Sequence, residues 1–322
     1  MIDRRALLAA LVAVGVQRTD PLLAETYPNR PIRLIVPFPP GGPTDVMGRV
    51  IAQALSATLG PIVVDNRPGA GSTLAGREAA RAEPDGYTLL LGSAATLAIG
   101  PALFKNIGYD PIKSFTPVAF MSSVPSVMVA GPKAPASSVK DLIAYAKANP
   151  GKLNLGVPNG APPHMLAAWF RDATATDIVV VPYKGAATVI TDLIGGQIDL
   201  GFETTSVTLS HLHEGTIRPL GVAARQRLPA LPEVPTMIES GVKDFVASSW
   251  TGILVPAGTP PEIVARLNAA INAGLNSPDM QARFRQLNAE TKPGTPQDFA
   301  DFIAAESPKW TAMAQLSGAK AE

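Results

Sequence analysis

The segment from Ile32 to Leu59 places an apolar strand, a Pro/Gly turn and an amphipathic helix in direct succession. Residues 32–36 are mostly β-branched or apolar and predict a short buried strand. Residues 39–42 read Pro-Pro-Gly-Gly, and Thr44 and Gly60 are the expected N-cap and C-terminal stop of the helix that follows. A strand that turns directly into a helix restricts this region to an α/β arrangement. The apolar face of the helix is formed by Val46, Val50, Ile51, Ala54, Leu55 and Leu59.

The turn between this strand and this helix has two interpretations. The first helical N–H groups have no partner within the helix, and together with the helix dipole they suit an anion such as a carboxylate. The same turn is also what any tight strand-to-helix connection needs. The segment alone leaves both interpretations open.

Strands and helices continue to alternate, which predicts a parallel sheet covered by helices. Ligands of such sheets gather beyond the carboxyl ends of the strands. Gly41–Gly42, Asn66 and Ser93 all follow predicted strands, so their loops are expected to converge. A second strand–turn–helix unit follows at residues 153–172. Extended segments near 118–130 and 246–255 predict two chain crossings between a first lobe, residues 27–124 plus 246–322, and an inserted second lobe, residues 125–245.

Composition narrows the class of function. The chain has 322 residues, of which 46% are apolar, enough for two domains with their own cores. A net charge of +1 gives no sign of a nucleic-acid surface or a basic membrane patch. The absence of cysteine excludes disulfides, thiol catalysis and cysteine metal sites.

The N-terminus has the layout of a secretory signal peptide. Arg4–Arg5 precede an apolar run over residues 6–16, and a small residue, Ala24, marks the expected cleavage point. The run is too short to span a bilayer comfortably. The prediction is a signal peptide over residues 1–24 and a periplasmic mature protein, with a buried first helix as the alternative.

Motifs of the common enzyme classes are missing. The sequence contains no Gly-x-Ser-x-Gly elbow and no phosphate-binding P-loop, and the dinucleotide fingerprint fails after Gly71. His211, His213 and Glu214 are too closely spaced, without a further partner, for good metal geometry. We therefore expect a protein that is not an enzyme and has no cofactor and no metal ion.

Several short motifs resemble the Bug family, the extracytoplasmic solute receptors of tripartite tricarboxylate transporters. The resemblance runs from about Tyr27 to near the C-terminus. It rests on several short motifs and on their order along the chain. They are YPNRPI…PPGGPTD (residues 27–32 and 39–45), DNRPGAG (65–71), PDGYTL (84–89), VPYKG…DLIGGQID (181–185 and 192–199), VPT (234–236) and VPAGTP (255–260).

The resemblance implies a two-lobed periplasmic binding protein of type II-like fold, with two parallel-type sheets, flanking helices and two hinge crossings. The implied ligand is a small carboxylate, namely a di- or tricarboxylate, an acidic amino acid or an aromatic acid, held mainly by backbone N–H groups. The implied partners of the monomer are the transporter's membrane subunits or, alternatively, a membrane sensor kinase. By position, the ligand-binding residues are Pro40, Gly41, Gly42, Thr44, Asp45, Ser93 and Ala94 in the first lobe and Asn159, Gly160, His164, Tyr183, Gly185, Glu203 and Thr204 in the second.

The roles of two of these residues, Asp45 and His164, have more than one interpretation. Asp45 is expected to contact a ligand amine, to fix its loop through Arg67 or to act as a helix-dipole partner. His164 is either a cleft donor or a packing residue. Two positions depart from the family pattern: residues 159–163 read Asn-Gly-Ala-Pro-Pro, without the usual serine, and Glu203 stands where an aspartate is common. Both lie where ligand selectivity is expected.

Overall fold

Nine strands form one mixed sheet in the computed structural model, which describes residues 27–319. The predicted signal peptide lies outside the described residues. The strands are β1 (Ile32–Val36), β2 (Ile62–Asn66), β3 (Thr88–Ser93), β4 (Phe115–Ala130), β5 (Asn154–Pro158), β6 (Val179–Tyr183), β7 (Leu200–Thr204), β8 (Arg218–Val222) and β9 (Ser248–Pro256).

Helices connect and cover these strands. Besides the α-helices, the described chain has a π-helical turn, Ala95–Ile99, and a 3-10 turn, Ala70–Ser72. The α-helices of the described chain are α1 (Pro43–Leu59), α2 (Thr73–Ala80), α3 (Gly100–Leu103), α4 (Val139–Ala148), α5 (Pro162–Thr174), α6 (Ala186–Gly195), α7 (Thr205–His213), α8 (Pro261–Leu275), α9 (Pro278–Gln286) and α10 (Pro296–Ser317). Within residues 27–319, no helix combines the length and the apolar character that crossing a bilayer requires.

The long strand β4 belongs to two halves of the sheet. Over residues 115–125 it pairs antiparallel with β9, and over residues 126–130 it pairs antiparallel with β7 and β8. The strand order is β2-β1-β3-β9-β4-β7-β5-β6. We call the β2-β1-β3-β9 half the first lobe and the β7-β5-β6 half, with β8, the second lobe. In each lobe three strands run parallel, as predicted. The predicted domain limits near residues 124 and 246 stay a prediction.

The C-terminal helix α10 connects the cores of the two lobes. Phe299 and Trp310 of α10 are buried in an apolar cluster that also contains Leu90 of the first lobe and Phe170 and Phe202 of the second. The helix packs against α5 as well as β4. It lies close on β9, because a Cβ atom added to Gly252 would be 2.1 Å from Cζ of Phe299.

One local prediction was wrong, and two helical segments were not predicted. The N-cap of α1 is Gly42, not Thr44, because Pro43 already occupies the first helical position, where its missing N–H has no consequence. The extended segment predicted near 118–130 is part of the continuous strand β4, and Pro125 lies where that strand changes partner from β9 to β7. The helical residues 95–103 were missed because the segment is almost uniformly apolar. Helix α7 was missed because its apolar and polar residues show little amphipathic spacing.

Packing of α10 on β9 predicts the effect of an added methyl group. Gly252→Ala is expected to lower the free energy of unfolding by about 1–3 kcal/mol, because Phe299 is buried and cannot move aside. The control Gly274→Ala in α8, whose Cβ would meet Ala54 at an ordinary 3.7 Å, should raise it by roughly 0.5–1 kcal/mol. Urea denaturation measures both changes. Equal stability of the two variants would contradict the packing of α10 described above.

Candidate functional site

The carboxyl ends of the parallel strands in both lobes point toward the same junction. Ser93 at the end of β3 pairs with Thr251, near the start of β9, and Thr204 at the end of β7 pairs with Ser126. Since β4 runs from the first lobe into the second and is antiparallel to both β9 and β7, the ends of β1–β3 face the ends of β5–β7. The loops that follow these strands therefore line an interlobe cleft.

Two of these loops touch across the cleft. The β2–α2 loop contains Gly71 and the β5–α5 loop contains Gly160, and both have positive φ angles, +59° and +67°. A Cβ atom built on Gly160 would lie 3.7 Å from Cα of Gly71. The two backbones thus approach closely at positions where glycine tolerates the left-handed conformation.

The β1–α1 loop presents a helix N-terminus to the cleft. Gly41 has φ +81°, and Gly42 donates only a long bond, 3.5 Å, to the Pro39 carbonyl. The Val46 N–H is bonded to the Gly42 carbonyl, so the N–H groups of Thr44 and Asp45 precede the regular hydrogen bonds of α1. Pro40 and Gly41 are exposed at the loop surface. This geometry is the one that suits an anion.

Asp45 holds this loop in place. Its side chain is buried, with one oxygen accepting from the Gly41 N–H at 2.8 Å and from Arg49 Nε at 3.0 Å. The other oxygen accepts from Asn66 Nδ2 at 2.9 Å. Burial opposes ionisation, but the hydrogen bonds from Arg49, Gly41 and Asn66 outweigh it and hold the pKa of Asp45 below its usual range. Asp45 is therefore an ionised and fully engaged loop clamp.

The predicted Asp45–Arg67 contact was wrong. Arg67 instead pairs with Asp65 at 3.0 Å and with Glu78 at 3.5 Å, two acids that also bind Arg33. Asn66 takes the role expected of the arginine, because its amide bonds both Asp45 and the Phe38 carbonyl at 2.9 Å.

Hydroxyl groups line the end of the first-lobe sheet. Ser93, Thr251 and Ser122 lie side by side on β3, β9 and β4, and the hydroxyls of Ser122 and Thr251 are 3.1 Å apart. Ser93 is buried, and its hydroxyl has no protein partner among the described residues. Ala94 is also buried and leads into the π-helical turn.

The β5–α5 turn has fewer free donors than the sequence suggests. The Asn159 N–H is bonded to the Tyr183 carbonyl, and the Ala161 N–H to the Pro158 carbonyl. Pro162 and Pro163 have no N–H, and the His164 N–H is bonded to the Ala161 carbonyl. The prediction that backbone N–H groups of this turn form the second-lobe anion site therefore meets a physical obstacle: the donors are already used.

His164 itself is buried and neutral. Burial lowers the pKa of its imidazole, and Nδ1 accepts from the Gly160 N–H at 3.3 Å. The proton of the neutral ring consequently resides on Nε2, which has no protein partner in the described part of the chain. This arrangement combines the two alternatives for His164, because the ring packs the turn and leaves one donor.

Two other helices of the second lobe keep their N-terminal donors. Gly185 is the N-cap of α6, and the first bond of that helix runs from Val189 to Gly185. Thr204 is the N-cap of α7. The Tyr183 hydroxyl donates to Asp192 at 2.8 Å, so its side chain supports α6. Of the predicted second-lobe residues, Gly185 and Thr204 mark the helix N-termini with unused N–H groups.

Glu203 precedes α7 and is 1% exposed. Its Oε1 atom has no protein partner among residues 27–319. Burial raises the pKa of Glu203 to about 8, and only the Thr204 N–H partly offsets that rise. The side chain is thus a neutral carboxylic acid at pH 7, able both to donate and to accept a hydrogen bond.

Sequence reasoning missed two polar groups near the junction, the hydroxyls of Ser72 and Ser126. Both are buried and have no protein hydrogen-bond partner in the described chain. Their only sequence signal is a serine near a strand, which is common elsewhere. The Thr205 hydroxyl, at a position expected to contact the ligand, and Nε1 of Trp250, whose ring packs on Phe299 and Phe302, are also buried without a partner among the described residues.

No three His, Asp or Glu side chains of residues 27–319 are grouped to hold a metal ion. His211 lies 3.9 Å from Glu214 on the second lobe, as a simple pair.

Comparison with known proteins identifies the family to which this chain belongs. Residues 47–318 match the family described as the tripartite tricarboxylate transporter family receptor. The chain belongs to this receptor family. It is 40% identical over 303 residues to Protein BugT of Bordetella pertussis, covering 93% of each chain. The predicted Bug-family membership is confirmed, and so is the prediction that the chain is not an enzyme.

Solved structures show the same fold. The periplasmic binding protein BugD matches with a TM-score of 0.83 and 36% identity, over 91% of this chain and 99% of that one. R. palustris Rpa4515, solved with adipate, matches with a TM-score of 0.85 and 36% identity, over 91% of this chain and 98% of that one. The predicted two-lobed α/β fold of periplasmic binding proteins is confirmed.

The hydrogen bonds of the ionised Asp45 side chain predict a pH-dependent contribution to the free energy of unfolding. Asp45→Asn is expected to lower the free energy of unfolding by about 1–3 kcal/mol at pH 7. Because the folded-state pKa lies below the unfolded value, this contribution is present above about pH 4 and is lost as the pH falls through the folded-state pKa. Denaturation curves at pH 7 and pH 3 measure the difference.

The control for this prediction is Asp279→Asn. Asp279 also pairs with an arginine four residues later, at 3.2 Å, but its side chain is 80% exposed. Its loss should change the free energy of unfolding by about 0.5 kcal/mol or less. Similar effects of the two substitutions would contradict the role of Asp45 as a clamp.

Proposed function

We propose that this chain is an extracytoplasmic receptor that captures a small carboxylate in the interlobe cleft. The observation that carries the proposal is the free N-terminus of α1, which Asp45 holds at the cleft edge with the Gly42 N–H almost unused. A carboxylate bound there accepts hydrogen bonds from preorganised backbone donors. The adipate in Rpa4515, a relative with the same fold, supports this ligand class.

The second lobe contributes the other donors. The N-termini of α6 and α7, the Nε2–H group of His164 and the buried hydroxyl of Thr205 are available without internal partners. Hydrogen bonds to a charged group are worth roughly 1.5–3 kcal/mol each. A few such bonds at the two lobes suffice for micromolar affinity, on the order of −8 kcal/mol.

The same proposal includes location and partner. Residues 1–24 act as a cleaved signal peptide, and the mature monomer works in the periplasm. There it delivers its ligand to the membrane subunits of a tripartite tricarboxylate transporter. Family membership supports this partner.

A backbone substitution tests the first-lobe site. Gly42→Pro removes the N–H group, and the φ angle of Gly42, −79°, is close to that of proline. Gly42→Ala keeps the N–H, and its Cβ would meet only the Pro39 carbonyl, at 3.5 Å. Calorimetry with a panel of organic acids should show affinity for the bound acid at least tenfold lower in Gly42→Pro than in Gly42→Ala. Equal affinities with intact folds would contradict a contact at this turn, and binding of neutral solutes alone would contradict the anion site.

A deletion strain separates transport from signalling. We expect loss of this receptor to abolish uptake of the cognate acid, because the membrane subunits depend on a loaded receptor. Uptake of the labelled acid and transcription of nearby genes are measured in parallel. Normal uptake with a lost transcriptional response would contradict delivery to a transporter and indicate a sensor kinase as the partner.

A further inference from the structure

We propose that the cleft excludes ligands with an ammonium group, so that it binds a carboxylic acid in preference to the corresponding α-amino acid. This inference rests on the proposed function and narrows its ligand class. An ammonium group in a buried cleft needs an ionised carboxylate that is free to pair with it, because an unpaired buried charge is strongly unfavourable. The two predicted binding residues that could serve as such a partner are Asp45 and Glu203.

Asp45 is ionised but already engaged. Its two oxygens accept hydrogen bonds from Gly41, Arg49 and Asn66, and its charge is paired with Arg49 at 3.0 Å. The residue is 2% exposed and sits behind the turn that it holds. A ligand cation that drew Asp45 away would release the loop whose N–H groups bind the anion.

Glu203 is available but not ionised. It lies one residue before the end of β7, is 1% exposed, and forms no ion pair in the described chain. Its cross-strand neighbour Val127 and the next residue in that row, Val222, are apolar. Among titratable groups on the neighbouring β5–α5 and β6–α6 connections, His164 is neutral and the Tyr183 hydroxyl is bonded to Asp192. No cation in the described chain pairs with Glu203, and the one group that favours its charged form, the Thr204 N–H, does not offset the burial that raises its pKa.

A neutral Glu203 favours an anion instead. Its O–H group can donate to a ligand oxygen, as can the hydroxyl of Thr205, which is fully buried without a partner. The N-terminus of α7 adds donors at the same strand end. Glu290 pairs with Ser123 through its backbone near the junction, but its side chain is exposed, so water weakens any attraction to a cation.

Matched ligand pairs test the inference. Calorimetry on the full chain compares succinate with aspartate, glutarate with glutamate, and 3-phenylpropanoate with phenylalanine. We expect the acid of any binding pair to bind at least tenfold more tightly than its amino counterpart. An amino acid that binds as tightly as its acid overturns this inference and leaves the proposed function intact. Failure of every carboxylate in these pairs and in the organic-acid panel overturns both.

Two substitutions test the protonation state of Glu203. Glu203→Gln should lower the affinity for the bound acid by no more than about fivefold, because the amide still donates and accepts, whereas Glu203→Leu should lower it by tenfold or more. Glu233→Gln, an exposed acid of the same lobe, is the control and should leave affinity unchanged. A tenfold or greater gain in Glu203→Gln would show an ionised, repelling carboxylate and overturn the inference.

Infrared difference spectra of wild type against Glu203→Gln provide a readout independent of affinity. We expect the carbonyl stretch of a protonated carboxyl in the wild type, with and without the bound acid, and its absence in the variant. A carboxylate band in its place at pH 7 would overturn the inference.

Discussion

Strand β4 forms backbone hydrogen bonds with strands of both lobes. Because β4 is antiparallel to β9 in one half and to β7 in the other, every parallel strand of each lobe ends at the junction. Helices begin there, so their free N–H groups and positive dipole ends all point toward the same space. The partner change at Pro125 and Ser126 allows this without a break in the strand, since proline needs no donor of its own at the change.

Helix α10 sets how closely the lobes are associated. Its aromatic side chains lie in an apolar cluster shared by both lobes, and Gly252 lets it approach β9 without a Cβ in between. Gly71 and Gly160 bring one loop from each lobe into close backbone approach. A side chain at Gly252 would therefore displace Phe299, whereas Gly71 and Gly160 are favoured by their positive φ angles.

The protonation states of the carboxyl groups near the cleft depend on their burial and their hydrogen bonds, and not only on the type of residue. Asp45 and Glu203 are both buried carboxyl groups, yet hydrogen bonds from Arg49, Gly41 and Asn66 outweigh burial and keep the first ionised, whereas burial raises the pKa of the second and keeps it neutral. The ligand is therefore expected to meet neutral donors: backbone N–H groups, hydroxyls, an imidazole N–H and a protonated acid. Such donors are oriented before the ligand arrives, which limits the entropic cost of binding.

Local chemistry in the sequence was enough to predict the alternating elements, the stop at Gly60 and the Pro/Gly turn that places a helix N-terminus after β1. Motif order was enough to predict the receptor family. The sequence could not show that the β5–α5 turn uses its own N–H groups, that Asn66 and not Arg67 binds Asp45, or that α7 begins at Thr205. The Asp45–Asn66 and Asn159–Tyr183 bonds join residues distant in the chain, and the local bonds of the turn depend on backbone angles that are fixed only in the folded protein. Helix and turn signals act over a few residues, whereas hydrogen-bond partners and protonation states depend on burial, and burial exists only in the assembled tertiary structure.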